Sequence, residues 1–236
     1  MTDVLKCLNQ AFENDDALIQ PRRGKNDPIL GADALMVVIP QDLARLSELM
    51  STESFDQGFF KIFRARGKGN PGISLAGPFL GAPQAVMVME KIIALGARRI
   101  CVFGWCGSLQ PHLRIGDFVV PLHAIAEEGT SKHYPVGKRK PATDPESNRI
   151  LEQALEKKGL PFRKGTVWTT DAPYRETASK VKTYGERGVL AVEMELSALM
   201  TVGFFRSVKV SALLVVSDEL FDLKWHRGFS SPLFRK

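Results

Sequence analysis

Two carboxylates stand inside an otherwise apolar stretch, Val192-Glu193-Met194-Glu195-Leu196. A buried carboxylate is costly unless something pairs with it. It accepts two hydrogen bonds in one plane, a geometry that suits the vicinal 2′ and 3′ hydroxyls of a ribose. A glutamate at that point also serves as a cap for the first-turn amides of a following helix, and the residues leave both readings open. A third carboxylate, Asp218, ends the run that begins at Ser211. An aspartate there with a raised pKa could hand a proton to a leaving group, or it could cap the next segment.

These groups need elements to carry them. Short apolar runs alternate with helix-like segments, the pattern of a largely parallel sheet covered by helices in an α/β protein. Strands are expected at 34–39, 73–76, 99–103, 116–121, 166–169, 190–193 and 208–216. Pro40, Gly77 and Gly104 are the expected stops of the first three. Helices are expected at 83–95, closed by Gly96, at 145–158 behind an Asp144 cap and Pro145, and at 196–204. Residues 129–144, polar and rich in Lys, Gly and Pro, read as a mobile surface loop. No repeat or linker interrupts the pattern, so residues 1–236 are expected to form a single domain, with 1–33 as an N-terminal extension packed on it.

Ligands of open α/β sheets bind beyond the carboxyl ends of the strands. In this chain those ends carry Gln41-Asp42-Leu43-Ala44-Arg45, then Gly77 to Pro83, then Gly104-Trp105-Cys106-Gly107-Ser108. Later ends carry Thr169 to Glu176, Glu193 to Glu195 and Ser217-Asp218-Glu219. Glycines and polar groups recur at these positions, which marks a binding site rather than a bare scaffold.

Composition narrows the classes. The 236 residues are 44% hydrophobic and 25% charged, ordinary values for a globular chain and unlike a disordered or fibrous one. Three cysteines, Cys7, Cys101 and Cys106, are too few and odd in number for a disulfide framework, which points to a reducing, cytoplasmic setting. The N-terminus lacks the apolar core of a signal peptide, and no run reaches the ~18 apolar residues of a membrane span. The net charge of +6 is spread over local clusters at 22–25, 64–68, 132–140 and the last residues. None is interleaved with aromatics or set in a nucleic-acid-binding motif, so neither nucleic acid nor membrane is expected as a partner. His123, His133 and His226 lack metal-ligand spacing, and no metal is expected. His112 is expected in a structural loop.

Several blocks, in order, resemble the nucleoside phosphorylase family, which includes uridine phosphorylase and hexameric purine nucleoside phosphorylase. They are Leu75 to Pro83, Leu109 to Asp117, Thr170-Asp171-Ala172-Pro173-Tyr174, Val192 to Glu195 and Ser217-Asp218, within a span from Ala34 to Asp218. The resemblance implies a mixed, largely parallel and partly closed sheet surrounded by helices. It also implies a homo-oligomer (dimer, trimer or hexamer) and reversible cleavage of an N-glycosidic bond by phosphate, with a related branch using water. Inorganic phosphate is then a co-substrate, and no cofactor is implied.

Carried over residue by residue, Glu195 falls on the ribose-binding glutamate and Met194 on the residue that packs the sugar. Asp218 falls on the aspartate that protonates a purine at N7, which the uridine branch lacks. Glu193, Tyr174 and Gly107 are expected beside the ribose and base. The anion site departs from the family pattern. The family's Pro-Gly-Asp-x-x-Arg loop corresponds here to Pro40-Gln41-Asp42-Leu43-Ala44-Arg45, in which Arg45 keeps its position, but Gln41 replaces a glycine whose bare backbone admits phosphate. Val102 and Trp105 stand where the family has an arginine and a Ser or Thr, and Pro173 where it often has a base-stacking Phe. Gln20 aligns weakly with a histidine that reaches a neighbour's sugar.

Three activities fit these residues. A phosphorylase could rebuild its anion pocket from Arg45 with Arg22, Arg23, Arg64 or Arg175. A nucleosidase could activate water with Glu193 or Asp42. A third protein could bind a nucleoside without turning it over. Retained Glu195, Asp218 and Arg45 favour the phosphorylase, acting on a purine-type nucleoside. The resemblance further implies a long helix beyond Asp218, where eighteen residues remain.

Overall fold

The computed structural model describes residues 17–65, 72–231 and 234. Cys7 and the rest of residues 1–16 lie outside them. The first half of the chain forms β1 (Asp33–Val37), α1 (Pro40–Leu49), β2 (Thr52–Asp56), β3 (Lys61–Ala65), β4 (Ser74–Gly77), α2 (Ala82–Leu95), β5 (Arg99–Ser108) and β6 (Phe118–Ala126). The second half forms α3 (Pro145–Lys157), β7 (Phe162–Thr169), α4 (Ala178–Glu186), β8 (Ala191–Glu193), α5 (Leu196–Arg206), β9 (Lys209–Glu219) and β10 (His226–Arg227).

The strands join one sheet in the order β10-β9-β6-β7-β8-β5-β1-β4-β3-β2. β9 pairs with β5 as well, so β5, β9, β6, β7 and β8 close a ring, and β1, β4, β3 and β2 extend from it as an open wing. The runs β4–β1–β5–β9 and β6–β7–β8 are parallel, while the seams β5–β8 and β6–β9 and the edge hairpin β2–β3 are antiparallel. This is the mixed, partly closed α/β sheet that the resemblance implies.

Burial explains the central elements. β4 is buried along its length, and α5 is buried from Leu196 through Gly203. A helix apolar on every face belongs inside, and α5 packs between α2 and the strands β6 and β9. Met36, Ile62, Leu75, Ile92, Leu199 and Trp168 are sealed from solvent, each contributing roughly 1.5–3 kcal/mol of burial. The expected caps are present. Asp144 Oδ1 accepts the Ser147 amide at 2.8 Å, and Gly96 closes α2 at a φ of 128°. A Cβ on Gly96 would lie 2.7 Å from the Leu30 carbonyl oxygen, which fixes the N-terminal segment against that turn. Farther along the same segment, Asp27 pairs with Lys91 of α2 at 2.6 Å.

Several stretches differ from the sequence expectation. Residues 40–45 form the first turns of α1 rather than an open loop; Pro40 sits at its start and Asp42 in its acidic first turn. β5 runs through Gly104 to Ser108, and β9 through Val216 to Glu219, because the two pair from Arg99↔Lys209 to Ser108↔Glu219 and hold each other extended. Gly104 is needed there for close packing, since a Cβ would come 2.8 Å from Val38 Cγ2. β6 likewise passes Pro121 by a register shift between Pro121 and His123. The segment 129–144 is partly built in, with a 3₁₀ turn at Thr130–His133 and a bridge from His123 to Ala142. β2, β3, α4 and β10 went unanticipated; α4 buries Val181 alone and so shows almost no apolar period. Among the described residues no helix follows Asp218, and the chain there turns back through β10. No helix among them is long and apolar enough to cross a membrane.

Candidate functional site

A cavity of about 480 Å³ opens at the carboxyl ends of β1, β5, β8 and β9. Glu193, Met194, Glu195, Asp218, Gly107, Trp105 and Tyr174, all expected at the site, line it. Gln41 and Arg45 do not; they are exposed on α1.

Glu193 ends β8 and Glu195 immediately precedes α5. The two readings of the paired glutamates divide between them. Glu193 is the cap: one carboxylate oxygen accepts the Glu195 and Leu196 amides, each at 2.7 Å, and the other accepts the Thr169 hydroxyl. Glu195 lies on the cavity wall, where Oε1 accepts the Gly81 amide at 2.6 Å. Gly81 holds a φ of 77°, a conformation that side chains resist, and so turns its N–H toward Glu195 at the start of α2. Burial pushes both carboxyls well above the usual range, and for Glu195 the charge of Glu193 adds to it.

Asp218 reaches the cavity through a bulge. The β5–β9 register slips between Cys106 and Gly107, so Gly107 pairs with Asp218 and Ser217 becomes the extra residue. Ser217 Oγ donates to Asp218 Oδ1 at 2.6 Å, and the Trp225 indole N–H donates to Oδ2 at 2.9 Å. Gly107 makes room: a Cβ would stand 2.7 Å from Leu220 Cδ1 and 3.1 Å from Asp218 Oδ2. Its contribution is therefore to the seat of Asp218.

Glu176, in the segment after β7, lines the same cavity. Desolvation, together with the charge of Asp218, pushes its carboxyl up to about 7. The residue stands among the strand-end groups in sequence, but nothing in its spacing marked it as part of the site. Trp225 and Phe229 of the returning C-terminal segment also line the cavity without a sequence signal. Tyr174 presents its ring at the mouth, 95% exposed.

The remaining wall is Trp105. Its indole N–H donates to Asp42 Oδ2 at 3.0 Å, and its ring stacks on Phe229 at 5.9 Å and meets Phe234 edge-on at 4.7 Å. Burial raises the Asp42 carboxyl against the opposing effects of the Trp105 hydrogen bond and the Arg45 charge. Val102 is buried in the core, and Arg64, a candidate anion ligand, is engaged by Glu53 at 2.8 Å. Among the described residues no Lys, Arg or His lines the cavity, whereas four carboxylates do.

The family model described as "Phosphorylase superfamily" matches residues 33–229. DeoD-type purine nucleoside phosphorylases from Bacillus cytotoxicus and Bacillus thuringiensis are each 32% identical over 151 residues. These matches cover 63% of this chain and 64% of each relative. Two solved structures of uridine phosphorylase from Vibrio fischeri are similar in fold. One, bound to 6-hydroxy-1-naphthoic acid, superposes with a TM-score of 0.73 at 25% identity over 79% of this chain and 78% of that one. The other reaches 0.77 at 22% identity, over 88% of each.

Proposed function

Because the chain belongs to the phosphorylase superfamily, we propose that its cavity binds a purine-type nucleoside and cleaves the N-glycosidic bond with phosphate as the acceptor. The observation that carries this reading is Glu195, a buried carboxyl on the cavity wall whose one oxygen is engaged by the Gly81 amide. The ribose 2′ and 3′ hydroxyls bond that carboxyl, Met194 packs the sugar, and Glu193 holds the start of α5 behind them. Asp218 receives the base, where negative charge collects as the bond to C1′ loosens. A carboxyl proton there neutralises the leaving group. The purine preference rests on Asp218 and on the names of the DeoD-type relatives.

A second acceptor, water, is favoured by one observation: no cationic side chain lines the cavity among the described residues. The Trp105 indole occupies the wall where the family pattern has a small hydroxyl residue.

The test is release of base from inosine, adenosine, guanosine, uridine and methylthioadenosine, each with and without phosphate. Release of purines that depends on phosphate is the expected result. Equal release without phosphate makes water the acceptor. Preferential cleavage of uridine, or binding with no release from any of the five, overturns the reading.

A further inference from the structure

We propose that Trp225 is a positioning residue for Asp218: its indole N–H orients the carboxyl that serves the leaving base, and the C-terminal turn that carries it completes the site. This rests on the nucleoside-cleaving reading above, in which Asp218 hands a proton to the base, and Trp225 acts through that carboxyl.

Asp218 needs such support because of where it stands. It follows the extra residue of the β5–β9 bulge, so the strand ladder is interrupted just before it. Its carboxyl turns about two side-chain bonds, and a proton donor works only within hydrogen-bond reach of the atom it serves. Ser217 Oγ lies 2.6 Å from Asp218 Oδ1 and 3.3 Å from the Cys106 carbonyl oxygen. With one proton and two lone pairs, that hydroxyl donates to an ionised Asp218, or accepts from a protonated one and turns its own proton to Cys106. It follows the carboxyl through its cycle without fixing it. The indole N–H only donates, along a direction set by a rigid ring. At 2.9 Å it pins Oδ2 and leaves the carboxyl free to carry its acidic proton.

The chain holds that ring in place although Trp225 is 56% exposed. The turn between β9 and β10 is tied at both ends, by the Leu220 amide on the Ser108 carbonyl at 2.9 Å and by the Gly228 amide on the Ser217 carbonyl at 2.8 Å. A Cβ on Gly228 would stand 2.6 Å from that Ser217 oxygen and 2.5 Å from Ile115 Cγ2, so the close approach requires glycine. β10 pairs Arg227 with Asp218 itself, and the Arg227 guanidinium lies over the Trp225 ring, 5.3 Å from its centre. These backbone ties fall between Ser217 and Leu220, so the indole is placed relative to the carboxyl it serves. Trp225 also lines the cavity that Asp218 enters.

The step balances. As the C1′–N9 bond breaks, its electron pair passes into the purine ring, and N7 takes the proton from Asp218. The base leaves neutral, the acceptor bonds to C1′, and Asp218 recovers its proton from solvent. Trp225 exchanges no proton; it holds the donor in line.

Trp225→Phe keeps an aromatic ring on the cavity and removes the N–H. Its kcat on inosine is expected to fall about tenfold, with KM within about twofold of the parent. A 7-methylpurine nucleoside carries its positive charge already and needs no proton at N7. On 7-methylinosine the variant is expected to stay within about threefold of the parent, which a merely structural role would not produce. Asp218→Ala is expected to lower inosine cleavage by about 10²-fold. Adding Trp225→Phe to it should change nothing further, because the indole acts through a carboxyl that is no longer there.

Three results overturn the proposal while the parent remains active. They are a near-parental inosine kcat in Trp225→Phe, an equal loss on inosine and 7-methylinosine, and an undiminished loss when Trp225→Phe is added to Asp218→Ala. A parent that cleaves no purine nucleoside, or an Asp218→Ala variant as active as the parent, overturns the reading beneath and this proposal with it.

Discussion

The wall formed by Glu193 and Glu195 and the wall formed by Trp105 bound the same cavity, yet they are built on different principles. At the first, each carboxyl is engaged by backbone amides: Glu195 and Leu196 N–H on Glu193, Gly81 N–H on Glu195. These donors belong to the starts of two helices, so their directions are set by the fold itself. At the second, one indole–carboxylate hydrogen bond ties β5 to α1, and two phenylalanines of the C-terminal segment pack on the ring. Side chains alone make that wall. A site made of backbone amides on rigid elements is preorganised for one ligand group, whereas an aromatic wall excludes water without naming what it binds.

The largest expected effect breaks the first wall. Glu195→Ala removes the partner of two sugar hydroxyl bonds, each worth up to about 1.5 kcal/mol. Steady-state kinetics on a purine nucleoside should then show kcat/KM reduced by up to about 10²-fold. The fold should survive, because the cap at Glu193 is untouched. A loss below about fivefold would mean that the sugar is held elsewhere.

Next comes stability, which separates the two walls directly. Glu193→Ala leaves two buried amides and the Thr169 hydroxyl without their acceptor. With about 1–3 kcal/mol for each orphaned group and some recovery by water, a loss of about 2–4 kcal/mol is expected in urea unfolding. Asp42→Ala breaks one hydrogen bond at a half-buried site, and about 0.5–1 kcal/mol is expected. Equal losses would show that the Trp105 wall is as tightly built as the other.

The same contrast explains what could be read in the sequence. The strand-and-helix order, the Asp144 and Gly96 caps, and the carboxylates at β8 and β9 were legible because each depends on a local pattern or on neighbours in the chain. The division of labour between Glu193 and Glu195 was not, since it turns on Gly81, more than a hundred residues away. Glu176 was hidden for the same reason, because its burial and the charge of Asp218 that acts on it come from parts of the chain distant in sequence. Residues 40–45 were misread as a loop because the resemblance outweighed Pro40 and Asp42, both good helix-start residues. β2, β3 and α4 lie at the edge or surface, where a polar sequence carries no period for burial to reveal.

The smallest expected effect sharpens the question of the acceptor. Arg45 is exposed on α1, but its charge acts on Asp42, and Asp42 holds the Trp105 indole that lines the cavity. It is thus a cation connected to that wall through two side chains rather than by contact. An exposed charge of this kind is worth about 0.5–1 kcal/mol. Arg45→Ala should then raise the KM for phosphate about 2–5-fold, and leave kcat at saturating phosphate unchanged. A tenfold or larger rise would mean that α1 bends inward and Arg45 meets phosphate directly. No change at all, in an enzyme that also releases base without phosphate, would leave the Trp105 wall as a barrier behind which water is the acceptor. The two walls would then differ in kind, one retained for the sugar and the other no longer serving an anion.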